Sequence, residues 1–110
     1  AFPAVLVIEN TYHFTPPLPF TPGGAGAGEI RAIGEGVEDL AVGDRVLANC
    51  GWQGFAEEIA LHAGGVFKIP DSMDFETASA FLLTYGTSHY ALKQRAKLRA
   101  ALVYFEKAKV

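Results

Sequence analysis

Hydrophobic positions divide the chain into a front part of short apolar runs and a back part with helical periodicity. The first run, at 4–8, is rich in β-branched residues and suits either a strand or a short buried helix. Later short runs bounded by turn residues predict strands, and they lie at 28–33, 45–50 and 65–70. The front part of the chain is therefore expected to be mainly β.

Two further segments of the front part have mixed patterns. Prolines crowd the stretch between the first run and the glycines at 23–28, and this predicts a stiff loop, because proline fixes φ and biases the preceding residue toward extended backbone. The segment 55–63 contains two adjacent glutamates that would suit a helix, but Gly51 and Gly54 before it favour a strand.

The period changes after Pro70. Asp71, Ser72 and Asp74 are candidate caps, and the apolar residues that follow recur at helical spacing. We expect Gly86 to interrupt the helix, which gives a pair of helices near 74–83 and 86–98. The fold class predicted from these patterns is mainly β with α. It consists of a partly open barrel of short antiparallel strands, followed by a C-terminal helical pair.

Composition narrows the class of protein. A length of 110 residues suits one domain, and a hydrophobic share of 50% is high enough that part of the surface is expected to meet a partner. The net charge of −3 disfavours nucleic-acid binding. No apolar run has the length of a membrane span, so no membrane partner is expected. The lone Cys50 cannot form an internal disulfide, which favours a cytoplasmic location.

The stretch TPGGAGAGE at 21–29 resembles a phosphate-binding loop, but its spacing argues against one. The dinucleotide fingerprint G-x-G-x-x-G requires a third glycine where this chain has Glu29, counting from Gly24, or Arg31, counting from Gly26. A predicted strand also follows the glycines, so no helix N-terminus is expected to receive a pyrophosphate. The glycines are interpreted as positions where the backbone turns or packs closely.

Other candidate chemistry is sparse. The histidines are far apart and Cys50 stands alone, so no metal site is predicted. Cys50 itself is interpreted as a small core residue. Tyr12, at the edge of the proline-rich loop, has a phenol that could orient or protonate a carbonyl substrate. The alternative is that Tyr12 packs as an aromatic residue on the barrel rim.

Several strings carry a resemblance to a known family, and they occur in its order and spacing. They are FPAVLVIENTY, PPLPFTPG, IRAIGEGVEDLAVGDRV, GWQGFAEEIAL, KIPDSMDFETASAF and TYGTSHYAL. Residues 10–99 thereby resemble the zinc-independent quinone oxidoreductases, of the zeta-crystallin type, in the medium-chain dehydrogenase/reductase superfamily. The resemblance implies a GroES-like catalytic domain, with residues 1–99 as a truncated copy and 100–110 as a tail without an assigned state.

The resemblance also implies an activity and its residues. In this family a separate Rossmann domain binds NADPH, and hydride passes to a small quinone or an α,β-unsaturated carbonyl. Tyr12 matches the family's active-site tyrosine, Thr87 matches the threonine near the nicotinamide, and Tyr85 is expected to line the same cleft. Tyr12 and Thr87 are thus the expected catalytic residues, and Thr87 and Tyr85 the expected cofactor-binding residues.

The departures from the family suggest a second hypothesis. Ala4 and Ala25 stand where relatives carry acidic residues, and ALVYFEKAKV stands where they enter the nucleotide-binding fingerprint, so the Rossmann domain is expected to be absent. One hypothesis is a substrate-binding domain that is not catalytically competent alone and works with a complementing Rossmann domain. The alternative is a non-catalytic small-barrel module that binds a partner or forms a homodimer.

Overall fold

The fold is a small open sheet with one long helix packed on it. A computed structural model describes residues 2–97 and 99. Its elements in chain order are α1 (Phe2–Ile8), β1 (Ala25–Glu29), β2 (Arg45–Asn49), a 3₁₀ turn (Ala63–Gly65), β3 (Val66–Lys68), α2 (Phe75–His89) and a π-helical segment (Tyr90–Arg95). The strands pair antiparallel in the order β1-β2-β3. The predicted fold class, mainly β with α and with short antiparallel strands before a helical part, is confirmed, and the strands form an open sheet.

The central strand β2 sets the register of the sheet. Leu47 pairs with Ala27 on one side and with Phe67 on the other. Side chains alternate between the two faces of a strand, so Leu47 faces α2 while its neighbours on β2 face the opposite side. The two faces of the sheet therefore have different surroundings.

The strand predictions for 45–50 and 65–70 are confirmed, whereas two others were wrong in detail. The strand expected at 28–33 lies at Ala25–Glu29, because pairing with β2 extends through the glycines despite their low strand propensity. The segment 55–63 forms no strand. Its first amide, that of Phe55, donates to the Pro22 carbonyl at 2.9 Å, which directs the chain back toward the proline-rich loop.

The helical part begins as predicted but divides at a different residue. The Asp74 carboxylate caps α2 by accepting the Thr77 amide at 2.7 Å. Gly86 lies inside α2, since its carbonyl still accepts the Tyr90 amide and the hydrogen-bond ladder is unbroken there. The boundary lies at Tyr90, where the π-helical segment begins. The end of the predicted second helix at 98 and the tail 100–110 lie outside the described residues.

The first apolar run is a helix, but none of its residues is buried. α1 ends at Ile8 because Asn10 adopts a left-handed φ of 57° and the Thr11 amide returns to the Leu6 carbonyl at 2.8 Å. Phe2 remains 71% exposed and Ile8 60% exposed. Among the two structures that the sequence allowed, the helix is correct, but its expected burial is not found.

The core lies between β2 and α2. Leu47, Ile69 and Ala78 form its buried centre, with partly buried side chains around them from Ala27, Met73, Phe75 and Leu82. Ala78 is 1% exposed, so its methyl group is fully enclosed between the helix and the sheet. This small core fixes α2 on one face of the sheet.

Candidate functional site

The sheet face opposite α2 is concave and largely unfilled. Val46 and Ala48 line it from β2, Cys50 lines it from the position after β2, and Gly26 and Gly28 line it from β1. A Cβ built on Gly28 would meet no atom within 4 Å, so space remains above this strand. The concavity has a volume of about 610 Å³, within the range of small-molecule sites.

The rim of the concave face combines apolar and charged side chains. Ile59 and Leu61 lie on the segment that follows β2, and Arg31 forms an ion pair with Glu58 across the opening. Both partners of that pair are well exposed, so its contribution to stability is small. The face thus offers an apolar floor with charges at its edge.

Cys50 lies on this concave face without being a reactive thiol. It is 5% exposed, and burial raises the pKa of its thiol. A thiol whose pKa is raised stays protonated near neutral pH, and the thiolate is the nucleophilic form. The interpretation of Cys50 as a small core residue agrees with this environment.

Tyr12 follows the end of α1 directly. Because α1 closes at Thr11, Tyr12 is the first side chain of the proline-rich segment, and it is half-buried. Its ring lies 4.2 Å from the ring of His13 between centroids, tilted by 46°. This geometry is compatible with both interpretations of Tyr12, as a carbonyl-orienting phenol and as a packed aromatic residue.

An aromatic cluster that the sequence did not indicate lies nearby. Phe14 and Trp52 have ring centroids 5.5 Å apart, and Trp52 borders an open hollow of about 370 Å³ together with Pro19 and Phe20. Phe14 and Trp52 are 38 positions apart in the sequence, so no local pattern could have paired them. The cluster fixes the proline-rich segment against the turn after β2.

The glycine stretch serves close backbone packing. The Gly54 amide donates to the Gly23 carbonyl at 2.8 Å, and the Cys50 amide donates to the Gly24 carbonyl at 2.9 Å. A Cβ on Gly23, whose φ is +109°, would lie 2.7 Å from the Phe55 backbone nitrogen. Strand β1 follows, so the stretch supplies no helix N-terminus and does not fit the pyrophosphate of a dinucleotide.

Tyr85 and Thr87 both lie on α2 but project in different directions. Residues two positions apart on an α-helix differ by about 200° around its axis. Tyr85 is 65% exposed and stacks on Phe81 at 5.3 Å. The Thr87 hydroxyl donates to the Leu83 carbonyl, which leaves its oxygen free to accept a hydrogen bond. The two side chains do not meet on one face of the helix.

Arg45 is the most highly connected side chain that sequence reasoning missed. Its guanidinium donates to the carbonyls of Pro70, Asp71 and Met73 at 3.2, 2.9 and 2.7 Å. It also lies 4.5 Å from the centroid of the Phe75 ring. These partners are at least 25 positions away in the sequence, beyond the reach of any local motif.

The described residues, 2–97 and 99, offer neither a metal-binding cluster nor a membrane-spanning helix. Within these residues no three His, Cys, Asp or Glu side chains are grouped so as to hold a metal ion. Across the same part of the chain, no helix combines the length and the apolar character required to cross a membrane.

Comparison with known families gives a match over most of the chain. Residues 4–71 match the family model described as the alcohol dehydrogenase GroES-like domain. A quinone oxidoreductase-like protein 2 homolog of Nematostella vectensis is 40% identical over 99 residues, which is 89% of this chain and 27% of that protein. The human synaptic vesicle membrane protein VAT-1 homolog is 40% identical over 94 residues, covering 83% of this chain and 23% of that protein.

Solved structures give the same result at the level of the fold. The crystal structure of human synaptic vesicle membrane protein VAT-1 homolog-like protein superposes with a TM-score of 0.85 at 32% identity, over 90% of this chain and 32% of that one. A probable oxidoreductase from Mycobacterium abscessus gives a TM-score of 0.83 at 33% identity, over 91% of this chain and 32% of that one. The chain spans about a quarter of the length of the curated relatives described above.

Proposed function

Because the chain belongs to the alcohol dehydrogenase GroES-like domain family, we propose that it is the substrate-side domain of an NADPH-dependent, zinc-independent oxidoreductase. Its substrate class is a small quinone or an α,β-unsaturated carbonyl. The observation that carries the proposal is the 40% identity, over 89% of this chain, to a quinone oxidoreductase-like protein. NADPH is held by a Rossmann domain, since the glycine stretch at 21–29 does not fit a pyrophosphate.

Tyr12 is proposed to act on the substrate oxygen. Its phenol follows the end of α1, where the Thr11 amide returns to the Leu6 carbonyl, and precedes the stiff, proline-rich segment. Quinones and enones present a carbonyl oxygen that gains negative charge on reduction, and a phenol can donate a hydrogen bond or a proton to it. NADPH, when bound, supplies the hydride.

Thr87 is proposed to face the nicotinamide, and Tyr85 is proposed to flank the same cleft. The Thr87 oxygen already donates its hydrogen to the Leu83 carbonyl, so it is oriented to accept one from a carboxamide. Tyr85, stacked on Phe81, presents an exposed aromatic face. The two side chains project from different sides of α2, so we assign the polar contact to Thr87 and a flanking contact to Tyr85.

The same proposal includes two further points: the enzyme needs no zinc, and it is located in the cytoplasm. The stretch at 23–28 contains only glycine and alanine, which offer no thiolate, imidazole or carboxylate ligands. The single cysteine of the chain has no partner within the chain for a disulfide, which suits a reducing compartment.

The proposal is tested in a full-length protein. This chain replaces the matched segment of the Nematostella quinone oxidoreductase-like protein 2 homolog, and NADPH oxidation is followed with 1,4-benzoquinone and with an enone. We expect quinone-dependent turnover, with Tyr12→Phe lowering kcat by roughly 10²-fold or more and Thr87→Val raising the KM for NADPH. A folded chimera that binds NADPH but reduces neither substrate contradicts the proposal.

The alternative function is a non-catalytic module that binds a partner or dimerises. The exposed apolar side of α1 favours it, because Phe2, Val5 and Ile8 are respectively 71%, 46% and 60% exposed. Sedimentation distinguishes the two. A concentration-dependent dimer that Ile8→Asp dissociates supports the module, and a monomer at high concentration argues against it.

A further inference from the structure

Arg45 connects the start of β2 to the turn that leads into α2. Its two terminal nitrogens reach three backbone carbonyls, at 3.2 Å for Pro70, 2.9 Å for Asp71 and 2.7 Å for Met73. The Arg45 carbonyl also accepts the Ile69 amide at 3.0 Å. One residue of the central strand therefore holds the whole connection between β3 and α2.

The same guanidinium contacts the first residue of the helix. It lies 4.5 Å from the centroid of the Phe75 ring, within the range of a cation–π interaction. Phe75 in turn packs on the core around Leu47. Arg45 therefore holds both the backbone before α2 and the side chain with which α2 begins.

We propose that Arg45 is a positioning residue that fixes the direction in which α2 leaves the sheet, and through α2 the places of Tyr85 and Thr87. The first half of this inference concerns the fold alone. The second half rests on the proposed function, since it assigns Tyr85 and Thr87 to the cofactor side of the cleft.

The direction of α2 matters because a small rotation at the start of the helix gives a large displacement at its end. Thr87 lies twelve residues after Phe75, which at 1.5 Å per residue places it about 18 Å along the helix. A rotation of about 5° at the start of α2 would move Thr87 by roughly 1.5 Å. Misplacement by about 1 Å can lower a reaction rate by about 10²-fold, so this small angle is functionally large.

Apolar packing restrains this angle without a preferred direction. α2 packs on the core through Phe75, Ala78 and Leu82, which lie in its first eight residues, whereas Thr87 lies further along the helix. Apolar contact is non-directional, whereas the three hydrogen bonds that Arg45 donates to the turn before α2 have preferred directions. We therefore assign the direction of α2 to the hydrogen bonds of Arg45, and the packing of α2 on the sheet to the core.

The chemistry of the site requires arginine specifically. A planar guanidinium can donate several hydrogen bonds in fixed directions while its face lies over an aromatic ring. Lysine keeps the positive charge, but its ammonium cannot donate in the same planar fork. Arg45→Lys therefore separates charge from geometry, and Arg45→Met removes both while keeping an extended side chain.

The first experiment measures helix direction in this chain. Backbone N–H residual dipolar couplings of α2 and β2 are compared in wild type, Arg45→Met and Arg45→Lys. In Arg45→Met we expect the α2 axis to rotate by about 5° or more, or the α2 couplings to shrink because the helix moves. In Arg45→Lys we expect the same change to a smaller extent. If Arg45→Met does not fold, Arg45→Lys decides the question alone.

The matched control is Lys68→Gln. Lys68 forms an ion pair with Asp44 at 2.9 Å at the same end of the sheet, so its charged group is paired with Asp44 and not with the turn before α2. A loss of stability without a change of direction is the expected result for this control. Unchanged α2 couplings in folded arginine variants, or equal changes in Lys68→Gln, would overturn the inference.

The second experiment measures activity in the full-length chimera described above. Arg45→Lys should lower kcat by roughly 10-fold or more while leaving the KM for quinone within about twofold, since Tyr12 lies on a separate segment. A wild-type chimera without turnover would contradict the proposed function, yet the dipolar couplings would still decide the role of Arg45. Normal kcat in a variant whose helix has rotated would overturn the second half of the inference.

Discussion

The two faces of β2 differ in what covers them. On one face Leu47 is enclosed by α2 and by Ile69, and side chains fill the space. On the other face Val46 and Ala48 border a concavity of about 610 Å³. Yet Leu47 at 6% exposure and Val46 at 7% are equally inaccessible to water. Burial by area therefore does not distinguish a packed face from a merely sheltered one.

The difference lies in packing density. A side chain surrounded by others gains dispersion contacts on all sides, whereas one beside a hollow loses the contacts on that side. Shortening a side chain on the packed face is therefore expected to create a cavity. Shortening one on the concave face is expected to enlarge an existing hollow. Substitutions on the two faces can test this distinction.

The largest effect is expected for Leu47→Ala. It removes the centre of the small core, so the free energy of unfolding should fall by about 2–5 kcal/mol. Val46→Ala changes the adjacent position, on the opposite face. It should cost about 1–2 kcal/mol, which is close to the transfer free energy of the removed methyl groups with no added cavity cost. Urea unfolding followed by circular dichroism measures both, and an equal cost per carbon removed would show that the two faces are equally packed.

A smaller contrast is expected between two glycines. Gly54→Ala places a methyl group 2.9 Å from the Gly23 carbonyl oxygen and should cost about 1–3 kcal/mol. Gly28→Ala enters open space on the concave face at an ordinary φ and should stabilise the strand by about 0.5–1 kcal/mol. Thermal unfolding of both variants checks the signs, and destabilisation by Gly28→Ala would mean that the concave face is filled.

The sequence predicted those parts of the fold whose determinants are local. The cap at Asp74, the strand at 45–50 and the helix after Pro70 all follow from patterns a few residues long. The position of β1 did not, because Ala25–Glu29 is a strand only through its pairing with β2, about twenty positions away. Gly86 failed as a boundary because one glycine costs a helix only about 1 kcal/mol, and the hydrogen-bond ladder continues through it.

The candidate site was less accessible from sequence. Tyr12, Tyr85 and Thr87 were expected from resemblance to a family, and their roles remain predictions. Arg45 and the pair of Phe14 and Trp52 were not expected, since their contacts join segments 25–38 positions apart. Local spacing can indicate a cap or a turn, but it cannot indicate which carbonyls an arginine will reach.

The pH dependence of the free energy of unfolding tests whether water reaches Cys50 on the concave face. Burial raises the pKa of its thiol above the ordinary value of 9.0. As pH rises through 9.0, the unfolded chain loses this proton before the folded chain does, so the free energy of unfolding should fall. Urea midpoints at neutral and alkaline pH measure the effect under reducing conditions, with Cys50→Ala as the control. A difference between the two proteins that does not change with pH would mean that water reaches the thiol.

The smallest effect is expected at the start of α2, on the packed face. The hydrogen bond from the Thr77 amide lowers the pKa of the Asp74 carboxyl, with Arg45 adding a weaker charge effect. A lowered pKa gives stability that is present above the ordinary value of 3.8 and is lost as pH falls through the folded value. Asn can cap the helix but does not titrate, so the Tm advantage of wild type over Asp74→Asn should shrink below about pH 4. Parallel Tm curves for the two proteins would show that the carboxylate charge adds nothing to the cap beyond the hydrogen bond that Asn also accepts.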